Sequence, residues 1–434
     1  METAPESLRQ SKSGSLTRVG TELFLSLRPS STRLETALLR LIPSVDELRT
    51  ATSFEIDLSE VPVFYPSSVS PICAWFLANR AAMSHLTMRV VRPHDEGAAG
   101  WLEKVGFFDL LKEGVTRPRD HALTMALHSI DPADRASTEA AIEHISNLLR
   151  RHAEGFAGDV LHSTQVALAE VIENASKHAG LTTPAFVCGQ YHPSNHRFGL
   201  CVADCGIGIR ESFRMAPYEV ARERLLSGDN PLELAVEPLM SSKYGMGHSG
   251  YGLFYASELC ALAAGTFVLS SDTGTLIATP QSRRLVTHEH WQGTVVNLSL
   301  DTTAPVSGAK IWAKLPSDTD DDDWLTTFLP AAEPPFIAMW RSGTRLYTRD
   351  AARELRQQVK DGVLGGAAIS LEHVTTITPS FADEFFRVLF EEIGEERYRK
   401  CVRVTGASDY VKRLIELVLK NRPSLRGRAE WVPR

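Results

Sequence analysis

Residues 165–180 read QVALAEVIENASKHAG, and the spacing of apolar and polar side chains in this stretch decides how the rest of the chain is read. At roughly 100° per residue, Leu168, Ile172, Ala175 and Ala179, with Leu161 just upstream, fall on one side of a helix. Glu170, Asn174, Lys177 and His178 fall on the other, and Glu170 and Asn174 are one turn apart. A carboxylate, a carboxamide and a cation stacked on one face can serve a metal and a phosphate chain. The amide oxygen ligates Mg²⁺, and the carboxylate orients or deprotonates a nucleophile. The same residues also compose an ordinary solvated face of an amphipathic helix, so the discrimination has to come from elsewhere in the sequence.

Length and composition narrow the field. A chain of 434 residues holds two to four domains, each able to bury a core. Hydrophobic content of 43% and charged content of 23% are those of a globular protein. A net charge of -7 without a basic stripe argues against a nucleic-acid partner. The opening METAPESLRQSKSGSL has no apolar signal core, and no later run reaches the length of a membrane span. A cytoplasmic protein with no membrane partner is therefore expected. Of six cysteines only Cys201 and Cys205 are close, at a spacing that fits neither a CxxC pair nor a zinc site, so reduced thiols are expected.

Taken in order, residues 1–20 read as a disordered tail and 21–125 as a small α/β domain. The latter carries a strand at 54–61 (FEIDLSEV), a helix at 69–83 after Pro66-Ser67-Ser68, a strand at 87–91 and a helix around 101–111. Residues 130–303 form a central domain. A helix follows Asp131-Pro132, then come the Glu170 helix, strands at 185–191 and 197–203, and an irregular segment over 210–244. A helix to about 264 and strands at 266–271 and 295–300 complete it. Residues 316–333, with an aspartate run from Asp318 to Asp323, read as an acidic, Pro-rich linker. Residues 334–434 alternate helix and strand again. The pattern I-x-L-x-x-V-x-x-x-x-P-S occurs as Ile56, Leu58, Val61, Pro66, Ser67 and again as Ile369, Leu371, Val374, Pro379, Ser380. Two flanking domains of the same fold are expected from that repeat.

Chemistry concentrates in the central domain. Asp204 ends a strand, where a buried carboxylate can accept a hydrogen bond from an exocyclic amine. Gly206 and Gly208 leave room for a flat ring against the backbone. Glycines 245, 247, 250 and 252 lead into a helix N-terminus, a ready anion site, and Lys243 and Ser249 add a cation and a hydroxyl. Residues 245–250 also spell GxGxxG, but a dinucleotide fold needs a hydrophobic strand ahead of it, and EPLMSSKY stands there. No Walker loop, HExxH or Ser/His/Asp signature is present.

These motifs together resemble the GHKL ATP-binding family of gyrase, the heat-shock chaperone ATPase, sensor histidine kinases, anti-sigma-factor kinases and MutL. ExxxNAxKH (Glu170 to His178) is similar to its Asn box, and DxGxGI (Asp204 to Ile209) to its first glycine box. GHSGYGL (Gly247 to Leu253) is similar to its phosphate-lid box, and Gly293-Thr294 to the closing strand element. The resemblance implies an α/β fold: a central Bergerat-type α+β sandwich, a mixed sheet covered by helices, binding ATP and Mg²⁺. It implies Asn174 as the Mg²⁺ ligand, Glu170 as the catalytic base, and Asp204 with Thr294 on adenine. Lys177, Gly206, Gly208 and Ile209 would line the nucleotide. Lys243, Gly247, His248, Ser249, Gly250, Tyr251, Gly252 and Leu253 would gather at the phosphates, with residues 210–246 as a mobile lid.

The flanking domains are similar to STAS-type domains, which anti-sigma kinases phosphorylate on a serine at a helix start. That makes Ser67, Ser68 and Ser380 candidate phosphoacceptors. The usual Asp-Ser pair is replaced here by Tyr65-Pro66-Ser67-Ser68 and by Thr378-Pro379-Ser380. Ser380 reads more readily as a helix N-cap with Asp383 as its capping-box partner. No histidine-kinase phosphoacceptor helix precedes the ATP motifs, and His144, His152 and His162 read as solvent-facing or capping. Three functions follow from the resemblance: an ATP-driven switch with slow hydrolysis, a serine/threonine protein kinase of the partner-switching type, or a nucleotide-binding scaffold. The partner is another protein or the chain's own STAS-like modules, and a homodimer rests on the resemblance alone.

Overall fold

The computed structural model describes residues 5–28, 39, 41–117, 121–157, 159–178, 183–216, 219–242, 250–315, 326–329, 336–339, 346–374 and 376–420. The chain is a mixed α/β protein that divides into two compact units. The first unit comprises Met1–Gly155, Asn174–Ser212 and Ala264–Thr302; the second comprises Phe156–Glu173, Phe213–Ala263 and Thr303–Arg434. Among the described residues no helix is long and apolar enough to cross a membrane.

The first unit holds two five-stranded sheets. One runs β1 (Glu6–Ser11), β2 (Gly14–Val19), β3 (Glu22–Leu27), β4 (Ser53–Asp57) and β5 (Thr87–Val91) in that order, antiparallel up to β3 and parallel from there. In β3 the alternation is clean: Leu23, Leu25 and Leu27 are buried and the residues between them are not. The other sheet is antiparallel throughout, its strands lying in the order 124–130, 185–192, 197–204, 283–301 and 266–278. Its strands are β6 (Thr124–Ile130), β7 (Ala185–His192), β8 (Arg197–Asp204), β9 (Thr266–Ala278) and β10 (Arg283–Asp301). The Pro66–Asn79 helix lies across β7 and β8, and its Ser70 hydroxyl donates to the Cys201 carbonyl at 3.2 Å. Ile72, Cys73 and Phe76 thereby share one core with Phe186, Cys188 and Ala203. Each large side chain so buried contributes roughly 1.5–3 kcal/mol.

The second unit holds a parallel sheet ordered β11 (Thr327–Leu329), β14 (Arg403–Thr405), β13 (Ala368–Ser370), β12 (Phe336–Ala338). Around it stand the Arg349–Leu364 helix and a helical run 379–393 whose middle turn, Asp383–Arg387, is π-helical. The Asp409–Lys420 helix buries Val411, Leu414, Ile415 and Val418 at helical spacing.

The sequence repeat is a repeat of backbone geometry. Leu58 N–H donates to the Val91 carbonyl and Leu371 N–H to the Thr405 carbonyl, each bridging to the neighbouring parallel strand. Val61 N–H returns to the Leu58 carbonyl at 3.0 Å and Val374 N–H to the Leu371 carbonyl at 2.9 Å. Both copies then start a helix on proline, Pro66 and Pro379, whose fixed φ and missing N–H suit the first turn.

Several expectations need correction. Residues 6–19, read as disordered tail, form the hairpin β1–β2. Leu8 and Leu16 are too few to show an alternation among so many Ser, Arg and Lys. β6 at 124–130 was not expected: every residue but Ser129 is buried, so no period-2 pattern marks it. The strands read at 266–271 and 295–300 are longer than expected, because β9 and β10 continue as one extended hairpin past Asp272. The expected linker contains β11, which pairs with β14; the Asp318–Asp323 run lies outside the described residues.

Candidate functional site

The Val160–His178 helix has a core stripe as expected, with Leu168, Ile172 and Ala175 buried. Its opposite face is not the ordinary solvated one that was the alternative reading. Glu170 and Glu173 are each only 3% exposed, and residues 163–173 are buried on every side. Asn174 and Lys177 are half-buried.

In the second unit Glu170 meets the start of the 379–393 helical run. Ser380 N–H donates to Glu170 Oε1 at 2.8 Å, and the Ser380 hydroxyl donates to Oε2 at 2.9 Å. Arg349, itself 5% exposed, donates from Nη2 to Ser380 Oγ at 2.7 Å. Its backbone N–H donates to Glu173 Oε1 at 3.0 Å. The guanidinium lies 3.8 Å from Glu173 and 3.7 Å from Asp383, and among the described residues neither Nε nor Nη1 of Arg349 has a hydrogen-bond acceptor. Burial pushes the Glu170 carboxyl up to about 7, against the pull of Arg349 and the two Ser380 bonds and with the help of Glu173. A buried carboxyl whose pKa is raised toward neutrality, on a serine hydroxyl steadied by an arginine, has the parts of a general base holding its nucleophile.

Ser380 is not the N-cap that its sequence context suggested. Thr378 caps the helix, its hydroxyl accepting from Phe381 N–H at 3.0 Å, and Asp383 pairs with Arg387 at 2.7 Å instead of closing a capping box. The other two candidate serines lie differently. Ser67 and Ser68 are 6% and 0% exposed at the start of the helix that covers β7 and β8, and Ser68 Oγ has no hydrogen-bond partner among the described residues.

In the first unit Asp204 and Thr294 face each other across β8 and β10. Gly206 N–H donates to Asp204 Oδ1 at 2.8 Å and Thr294 N–H to the same oxygen at 3.2 Å. Among the described residues no donor reaches Oδ2. Asp204 is 3% exposed, and burial pushes its carboxyl up to about 7 against those two N–H bonds. Gly293 sits at φ +102, where a Cβ would come within 2.1 Å of the Asp204 carbonyl oxygen. The register of β9 and β10 shifts beside it, a bulge that re-aims the strand. Gly208 at φ +75 begins a turn in which Ile209 N–H donates to Ser271 Oγ, which in turn donates to the Gly293 carbonyl. The DxGxGI turn and the Gly-Thr element, some 90 residues apart, are thus tied into one cradle.

Of the lid motif, Lys243, Gly247, His248 and Ser249 lie outside the described residues. Gly250, at φ +73, packs on the backbone of Leu239 and Met240. Tyr251 is buried edge-on against Trp312, and Gly252 opens the Gly252–Leu262 helix with Leu253 half-buried behind it. Among the described residues no group of three His, Cys, Asp or Glu side chains can hold a metal ion.

Sequence reading missed Arg349 and Glu173. The signal for Arg349 lies in the Arg349–Leu364 helix, where Arg349, Arg356 and Lys360 share a face, opposite Asp383, Glu384 and Glu392 of the 379–393 run. Arg356 pairs with Glu384 at 2.8 Å and Lys360 with Glu392 at 2.9 Å.

Compared with known proteins, residues 351–412, which carry Ser380, match a STAS-like domain of unknown function (DUF4325). No curated protein matches the chain, and no solved structure does.

Proposed function

We propose that this chain, which ends in a STAS-like domain, is an Mg²⁺-dependent ATP-binding protein of the GHKL type, in which slow hydrolysis drives a conformational switch. The observation that carries the reading is the Asp204 cradle. A buried carboxylate is fixed by two backbone donors on one oxygen, while its other oxygen has no donor among the described residues. An adenine amine is a partner of the right polarity for that oxygen, and a desolvated acceptor discriminates strongly against a base that lacks the donor. Asn174 would supply an amide oxygen to a magnesium ion that keeps several waters and is held mainly by the phosphates. Titration with a non-hydrolysable ATP analogue tests the reading, with and without Mg²⁺ and against the GTP counterpart. Wild type binds the adenine nucleotide at least tenfold tighter than the guanine one, and Asp204→Asn erases the difference. Equal affinities for both bases in wild type refute it, and binding without phosphate release makes the chain a scaffold.

A second reading, a serine protein kinase, is favoured by one contact: the Ser380 hydroxyl on Glu170 is where a protein hydroxyl would have to sit to lose its proton while attacking a terminal phosphate. Phosphopeptide mapping after incubation with labelled ATP separates the two.

A further inference from the structure

We propose that the chain inhibits itself: Ser380, steadied by Arg349, occupies the place at Glu170 that a water or a substrate hydroxyl must take. The inference rests on Glu170 being the base of the ATP chemistry proposed above, and it concerns what governs that base.

A carboxylate activates a nucleophile from hydrogen-bond distance, about 2.6–3.2 Å. Both Glu170 oxygens already have partners in that range, at 2.8 and 2.9 Å, and both partners belong to Ser380. The residue is 3% exposed, so an outside nucleophile reaches it only after Ser380 leaves. The contact is not a by-product of helix capping, because Thr378 caps that helix. A second grip lies three residues past Glu170 on the Val160–His178 helix, where Arg349 N–H holds Glu173 while the Arg349 side chain holds Ser380. One residue thus braces both ends of the clamp.

The clamp is also built to let go. Arg349 keeps two buried N–H groups without hydrogen-bond acceptors among the described residues, and a buried donor left unpaired is a cost that opening relieves. Glu173 and Asp383 both stand beside that one guanidinium, and Glu170 is joined to it through Ser380. The closed state therefore holds its charges in imperfect balance.

The test uses the full chain. In Ser380→Ala, steady-state phosphate release from Mg-ATP should rise at least fivefold, with affinity for the ATP analogue within twofold of wild type. A second measurement needs no nucleotide. Hydrogen exchange of the amides in 379–387, whose Ser380 N–H bonds to Glu170, should speed up at least tenfold in Glu170→Ala. Unchanged or slower turnover in Ser380→Ala with nucleotide binding intact overturns the clamp and leaves the ATP reading standing. So does unchanged exchange in Glu170→Ala, and so does phosphate found on Ser380 in wild type, which would make it a substrate. A wild-type chain that binds no ATP overturns both.

Discussion

Replacing Glu170 by glutamine should abolish part of the chain's pH dependence and strengthen the second unit at alkaline pH. The carboxyl stands at about 7 in the folded protein against an ordinary 4.5. A folded value above the unfolded one means that the fold favours the protonated form. The contribution is complete below about pH 4.5 and is lost as pH rises through about 7. Moving the carboxyl from 4.5 to about 7 corresponds, at about 1.36 kcal/mol for each tenfold change in acidity, to about 3 kcal/mol. Glutamine carries no charge to desolvate and still offers an oxygen to Ser380 N–H. A chain of several domains has no single unfolding free energy, so the quantity to follow is local: the opening free energy of amides in 379–393, from hydrogen exchange corrected for intrinsic rates. In wild type it should fall by about 3 kcal/mol between pH 4.5 and 8, and in Glu170→Gln it should stay nearly level. An identical fall in the variant would show that Glu170 is not the titrating group and that the contact with Ser380 does not carry the charge assigned to it.

Asp204 gives a linked prediction for binding. Its carboxyl stands at about 7 and must be ionised to accept from an adenine amine, so affinity for the ATP analogue should rise by up to about tenfold per pH unit below pH 7 and level off above it. Calorimetry in buffers of different ionisation heat should detect proton release that disappears in Asp204→Asn. Gly293→Ala places a Cβ 2.1 Å from the Asp204 carbonyl at φ +102, and should lower the first transition in thermal unfolding by an amount equivalent to about 2 kcal/mol or more. Ser68→Ala removes a buried hydroxyl with no partner among the described residues. It should leave stability unchanged or raise it by about 1 kcal/mol in denaturant titrations, a sign opposite to that of most buried polar losses.

What the sequence discloses and what it conceals divide along physical lines. Strongly periodic or punctuated segments were legible. The strand-loop-proline repeat appears twice with matching hydrogen bonds, and Asp204 and Thr294 stand opposite each other as two neighbours across strands do. β6 and the β1–β2 hairpin were concealed, the first because it is buried on both faces and the second because its apolar residues are sparse. The face of the 160–178 helix misled for a different reason. Glu170 has the spacing of a solvated residue, and nothing local announces a partner 210 residues away. Ser380, a candidate phosphoacceptor, also reads as a cap because a serine three residues ahead of an acidic one often is one; Thr378, two positions earlier and just ahead of the proline, takes the cap instead.

The two copies of the repeat show why local sequence and function part company here. Ser67 and Ser380 follow equivalent prolines at equivalent helix starts, so propensity and capping treat them alike. Their surroundings do not. The helix behind Ser67 turns an apolar face, Val69, Ile72, Cys73 and Phe76, onto the antiparallel sheet, and the helix start is sealed by packing. The helix behind Ser380 follows it with Asp383, Glu384 and Arg387, all buried and paired, and the turn that carries them is π-helical, an irregularity that often marks a working site. An apolar helix face gives its first turn a purely structural task. A charged one, with Arg349 and Glu173 closing around it, turns the same serine toward a carboxylate whose ionisation lies near neutrality. Both Glu170 oxygens are taken by that serine, which is why Ser380, and not its counterpart in the first copy, is the residue to change.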